Sequence, residues 1–345
     1  MKWLLILLAA VTPLRIYKTT TLPPNGEYRQ PIVIMADDVT LDCNGSVVVG
    51  NGIGVGILVQ NRKNVTIRNC RVRGWDVGMY VMSGRNFVFE RNDFSNNYVD
   101  DNSNIEHLKP IPHGGMILNG IQNSRVVGNT ANGNVAGIQI LNSSKIRVER
   151  NTTSRNRGWG IYLYGTTASQ VFSNTVEYNR RACPEFPGIE GCGSAGIVLT
   201  QQSDRNQINW NILTANGDGI YQGNTPQSAS NDNEMAYNTI SKSIANGIEA
   251  TFSFRNYIHH NTFTDDNYGA WLGYAQNVRF EFNVVRGAHV NSVQHDNAKN
   301  SKYTGNTFDG ANVLLQPVQG GTCVGNSFSN NKVLNNATIQ TLGCQ

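Results

Sequence analysis

Asp218, Glu249, Asp265, Asp266 and His295 gather in the C-terminal half of this chain, interleaved with Tyr221, Tyr268, Trp271 and Tyr274. Carboxyl groups brought side by side shift each other's pKa, so that one can hold a proton while the other is ionised. A pair about 5 Å apart suits a retaining glycosidase, and a pair about 6.5–9.5 Å apart an inverting one. Against a uronate the same carboxylates could hold Ca²⁺, which takes several oxygen ligands. His295 or Tyr274 would then be the base that removes the C5 proton. Tyrosine and tryptophan rings suit pyranoses, whose C–H faces stack on aromatic faces while the hydroxyls seek polar neighbours. Tyr162, Tyr164 and Arg157 form a second, upstream set of binding residues. No dedicated group of metal ligands is legible, and His259-His260, consecutive in a strand, are expected to point to opposite faces.

What must position these residues is a repeat. Ten asparagines (Asn92, Asn129, Asn151, Asn174, Asn211, Asn238, Asn261, Asn283, Asn306 and Asn326) follow one another at steps of 37, 22, 23, 37, 27, 23, 22, 23 and 20 residues. Three positions before them stand Phe89, Val126, Val148, Val171, Ile208, Met235, Ile258, Phe280, Tyr303 and Cys323. A Gly-Ile-type pair follows 8 or 9 residues after most of them, as at Gly137-Ile138, Gly160-Ile161, Gly219-Ile220 and Gly247-Ile248. A period near 22 residues built of short alternating strands predicts a solenoid, here an all-β, single-stranded, right-handed parallel β-helix of about 12 rungs. At a strand spacing of about 4.8 Å the rod would be roughly 55 Å long. Side chains alternate faces along a strand, so the residue after each Gly-Ile pair is expected to face solvent. That file reads Tyr80, Gln139, Tyr162, Val198, Tyr221, Glu249, Trp271, with Asp218 one rung before Glu249 and Asp265-Asp266 one rung after.

Two rungs are enlarged at one corner. Asn92 to Gly115 and Asn174 to Gly196 span 23 and 22 residues, where 8 or 9 is usual. The spacing therefore predicts a single β-helix domain over 11–345 with loop insertions at 93–114 and 175–195, the first carrying Glu106, His107 and Lys109. Loops on a rigid repeat scaffold commonly carry binding function. Residues 1–10 read as a signal peptide, and no later apolar run is long enough to span a membrane. Six cysteines fit an oxidising compartment, and the locally economical pairs are Cys43–Cys70, Cys183–Cys192 and Cys323–Cys344. Lys+Arg 28 against Asp+Glu 24 gives a net charge of +4, too small a surplus to argue for nucleic acid.

With Asn64-Val65-Thr66-Ile67-Arg68-Asn69-Cys70, Gly247-Ile248-Glu249-Ala250-Thr251-Phe252-Ser253, Tyr268-Gly269-Ala270-Trp271-Leu272-Gly273-Tyr274 and Val293-Gln294-His295-Asp296, the chain resembles secreted right-handed β-helix proteins of the pectin-lyase-like superfamily. The narrower resemblance is to the NosD-like group with carbohydrate-binding and sugar-hydrolase repeats. It implies a secreted or periplasmic location and a polysaccharide partner, in a superfamily of lyases, hydrolases, epimerases and non-catalytic members. The Arg-x-Pro-x-x-Arg, Gly-His-Gly and Asp-Pro-His-Glu signatures of its better-defined enzymes are absent. The expectation is a monomeric enzyme on a uronic-acid-containing glycan, of lyase or C5-epimerase type, or a glycoside hydrolase. The alternative is a non-catalytic glycan-binding protein or a NosD-like accessory protein.

Overall fold

Each turn of the chain is made of brief extended runs, such as Gln207–Asn209, Ile212–Thr214 and Asp218–Gln222. Single residues in the left-handed region turn the chain between them, for example Trp210 at φ 60° and Ala215 at φ 53°. The computed structural model describes residues 12–98, 109–183, 190–223 and 225–345. The expected signal peptide at 1–10, and Glu106 and His107 of the first insertion, lie outside the described residues.

The extended runs stack in three lanes, every strand pairing in parallel with its equivalent one turn on. Lane one includes the register Ile197–Ile220–Ile248–Ala270–Val293. Lane two runs Phe89–Val126–Val148–Val171–Ile208–Met235–Ile258–Phe280–Tyr303. Lane three includes Val176–Leu213–Ile240–Phe263–Val285–Phe308. The result is a parallel β-solenoid of about 13 turns, one more than the repeat count suggested. Phe89, Val148, Ile208, Ile258 and Phe280 are all fully buried in one inward file, as their shared repeat position requires.

Amide ladders seal the corners. Each ladder asparagine from Asn92 to Asn283 accepts, or gives, paired bonds along the axis: Asn211, for instance, donates its backbone N–H (2.9 Å) and its Nδ2 (3.0 Å) to Asn238 Oδ1. The ladder ends on Asn331, which takes both bonds from Asn306. The expected terminal member, Asn326, instead accepts from Ser301 N at the preceding corner, so Phe328 and not Cys323 continues the file after Tyr303. A second ladder, five residues downstream of the first, runs Asn97–Asn134–Asn156–Asn179–Asn216. Its side chains explain the glycine file. A Cβ on Gly196 or Gly115 would come within 3.0 Å of a ladder Nδ2 and within 2.7 Å of the next rung's carbonyl oxygen. All three expected disulfides form: Cys43–Cys70, Cys183–Cys192 and Cys323–Cys344.

Candidate functional site

Two files point outward from lane one: the residues just before each glycine and those just after each isoleucine. Over the N-terminal rungs these files are apolar and covered. Val55, Val77, Ile117, Ala136, Trp159, Tyr162, Ala195, Val198 and Tyr221 form a second hydrophobic cluster, roofed by Ile111. The tail of the first insertion folds back here. Gln139 Nε2 donates to the carbonyls of Ile111 (2.7 Å) and His113 (3.1 Å), while its Oε1 accepts from Ile111 N (3.0 Å). Tyr162, expected in the open, is therefore wholly buried, packed on Trp159 with ring centroids 4.4 Å apart and hydrogen-bonded to Thr200 (2.7 Å). Tyr221 is 4% exposed. Burial pushes the hydroxyl pKa of both tyrosines up. Neither offers a ring face to a sugar, and Tyr164 is half-buried at the rim of this cluster, edge-on to Tyr162.

Beyond Tyr221 the face opens and turns polar. In register, Tyr221 is followed by Glu249, Trp271 and Gln294. The file before the glycines reads Asp218, Asn246, Tyr268, Asn291. Asn246 Nδ2 donates to both Asp218 Oδ1 and Glu249 Oε2 at 2.9 Å, so those oxygens lie no further apart than twice that distance. Asp218 is 4% exposed, whereas Glu249 keeps an edge in solvent. Burial raises both carboxyl pKa values, and the Asp218 charge raises Glu249 further against the lowering bond from Asn246. Both effects favour one proton shared by the pair over two ionised carboxylates. Trp271 is fixed by its indole N–H bond to Asp296 Oδ2 (3.2 Å), which also accepts from Gln294 Nε2 (3.2 Å), while Gln316 Nε2 donates to Asp296 Oδ1 (3.0 Å). Asn246 Oδ1, Thr251 Oγ1 and Gln222 Oε1 are buried without a hydrogen-bond partner among the described residues.

Other residues expected at this site lie elsewhere. His295 faces the interior, fully buried, bonded to Tyr303 Oη and to the carbonyl of Ala275 (2.9 Å). Its neighbour Gln294 takes the outward position, because strand alternation puts His295 in the file of Leu315. Burial lowers its pKa to about 4, and it cannot be a surface base. Asp266 is also interior: it continues the second ladder, accepting from Ser243 N (2.8 Å). Asp265 is exposed, at a left-handed corner (φ 56°). Tyr274 lies at the corner after its strand, stacked on Phe252 (4.6 Å) and donating to Gln319 Oε1 (2.8 Å). Arg157 lines a corner cleft of about 320 Å³ with Arg155, Arg180, Arg181 and Glu190. The second insertion borders both places, since Gly191 packs against Gly217, the residue before Asp218. His259 and His260, expected on opposite faces, turn their Nδ1 atoms toward each other (2.9 Å), because His260 leaves the strand at φ 53°.

Sequence reasoning missed Asn246, Asn291 and Gln294. The first two were legible as the residues one before Gly247 and two before Val293, in the position Asp218 holds. For calcium the donor set fits poorly: no three Asp, Glu, His or Cys side chains converge among the described residues, and Asn246 already occupies the acids' facing oxygens.

The family comparison agrees with this architecture. The model for the right-handed β-helix region matches residues 36–226 and 195–342, and the chain belongs to that family. Among solved structures it is similar to the periplasmic alginate epimerase AlgG (TM-score 0.56, 12% identity, covering 95% of this chain and 77% of that one). It is also similar to PfbA, a surface adhesin of Streptococcus pneumoniae (TM-score 0.54, 11% identity, 90% and 83% covered). At these identities the likeness is one of fold. No curated protein matches the chain by sequence.

Proposed function

We propose that the chain is a secreted or periplasmic enzyme acting on a uronic-acid-containing polysaccharide, bound along the open part of lane one with Glu249 as its proton-transfer group. The observation that carries this reading is the unequal pair: Glu249 reaches solvent while Asp218 lies buried beneath it, both bonded to Asn246. The separation falls short of the roughly 6.5–9.5 Å of inverting glycosidases. A retaining pair needs both carboxyls at the sugar, and Asp218 is closed off. One accessible carboxyl held neutral suits a uronate better. It can donate a hydrogen bond to the substrate carboxylate, which an ionised acid would repel, and so favour loss of the C5 proton. Tyr268, in register with Asn246, is the candidate base that takes the C5 proton, Glu249 gives its own proton to the opposite face of C5 or to the leaving oxygen, and Trp271 is the stacking platform. The arginines beside the second insertion supply positive charge at the same corner of the coil. Alginate epimerisation by AlgG is compatible with such a role for this fold, and the three disulfides favour an oxidising compartment.

The test is incubation with alginate, polygalacturonate and xylan, following unsaturated-uronate absorbance, reducing ends and C5 proton exchange. Unsaturated product or C5 exchange on an anionic polymer, lost in Glu249→Gln, is the expected result. Reducing ends without unsaturation would make it a hydrolase; binding without turnover on all three would make it a glycan-binding protein.

A further inference from the structure

The residue preceding each ladder asparagine sits at the left-handed corner between lanes two and three. From Trp210 to Phe282 this exposed file is aromatic, and its rings stack along the rod. Trp210 and Tyr237 are 4.3 Å apart with 4° between planes, Tyr237 and His260 4.9 Å apart at 21°, His260 and Phe282 5.1 Å apart at 31°. One end of the stack is closed. The next member is Gly305, where a Cβ would come 2.6 Å from the Phe282 ring, so that ring lies over bare backbone. At the other end the preceding member is Ser173, which offers no ring.

The outer face of Trp210, a residue 59% exposed, gives onto a cleft of about 260 Å³ lined by Arg147, Gln170, Phe172, Gln207 and Asn209. Its walls are polar. Gln170 donates to Gln207 (2.9 Å), which donates to Glu234 (2.9 Å), and the Arg147 guanidinium lies 4.4 Å over Phe172. Asn209 accepts from Ala236 N with its carbonyl and keeps its NH₂ group as a donor. A larger cleft of about 460 Å³ shares Arg147, Gln170 and Gln207 and continues the groove along lane two.

We propose that this cleft is a second carbohydrate subsite, away from the lane-one face. One pyranose occupies the place an aromatic at 173 would fill, its C–H face on Trp210 and its hydroxyls on the amides of Gln170, Gln207 and Asn209. A rim of amides and charges around a single bare ring face matches a sugar, which is apolar on one side and polar all round its edge. An apolar protein partner would leave those amides unsatisfied.

Affinity electrophoresis through native gels containing alginate, polygalacturonate or xylan tests it without reference to turnover. At least one gel should retard the protein, and Trp210→Ala should weaken that binding about tenfold. Ser173→Tyr should weaken it as much while raising the melting temperature, because the new ring extends the stack. The backbone accepts it, since Trp210 and Tyr237 already hold aromatic side chains at φ 60° and 56° where Ser173 has 54°. Retardation by none of the three gels, or equal retardation of both variants and the parent, overturns the proposal. The lane-one reading stands or falls separately, on product formation.

Discussion

Glu249 and Asp218 share one amide donor, and their roles separate by substitution. Glu249→Gln should abolish turnover with no loss of melting temperature, since glutamine keeps the bond to Asn246 as an acceptor and buries no charge. If neutral Glu249 is the active form, activity falls on the alkaline side as it ionises. Asp218→Asn removes the neighbouring charge that lifts the Glu249 pKa, so the alkaline limb should move to lower pH, read from a pH–rate profile. Asp266 makes a stability prediction of the opposite kind. Its Oδ2 stands where a ladder asparagine carries NH₂ and has no partner among the described residues, and burial raises its pKa to about 7. The unfolded state ionises near 3.8, so stability present below that pH is lost as pH rises toward 7. Asp266→Asn should restore the amide ladder and raise stability at pH 8 by at most about 4 kcal/mol, with little change at pH 3.5. His295 runs the other way. Its depressed pKa gives stability above about 6.5 that is lost as pH falls toward 4, and denaturant titrations of His295→Gln should lack that acid limb.

At the scale of elements the amide ladders and the insertion tail carry the energy. Removing the Asn238 side chain orphans the backbone N–H of Asn211 and the carbonyl of Ile208, both inside the coil. Each buried unsatisfied group costs about 1–3 kcal/mol, so Asn238→Ala should cost on the order of 2–5 kcal/mol in equilibrium unfolding. The segment Lys109–His113 is held over lane one by Gln139, by the His113–Asp76 pair and by the stacking of His113 on Tyr98. Gln139→Ala should raise hydrogen exchange and proteolysis there and admit solvent to Tyr162, leaving exchange at Glu249 unchanged. Unaltered protection at 109–113 would show that the packing of Ile111 and the contacts of His113 with Asp76 and Tyr98 hold the roof without Gln139.

The whole molecule is quasi-one-dimensional: each turn leans only on its neighbours, so its ends are its weak points. The last turns are exposed, with Leu342 55% and Leu334 45% accessible, and Cys323–Cys344 closes the final loop. Closing a loop of about 20 residues is worth roughly 3 kcal/mol. The Cys323→Ser/Cys344→Ser double variant should fray the coil from residue 318 onward, seen as exchange confined to that end, while the central turns keep their protection.

Much of this was written in the sequence. The asparagine spacing, the apolar residue three before each, and the Gly-Ile pairs determine lane, register and core, because a solenoid repeats one backbone conformation and the repeat is its own alignment. The Asp218–Glu249 pairing and the place of Trp271 one rung on follow from the same count, and the second ladder and the Trp210 file stand five after and one before the asparagines already counted. Other features needed the tertiary structure. Whether Tyr162 met solvent depended on where the tail of the first insertion folded, and a loop without a repeat carries no such alignment. His295 and Asp266 turned inward through strand alternation and ladder geometry, which a slip of one residue reverses. The ladder left Asn326 for Asn331 because the last turns gain residues that only hydrogen bonding along the axis could assign.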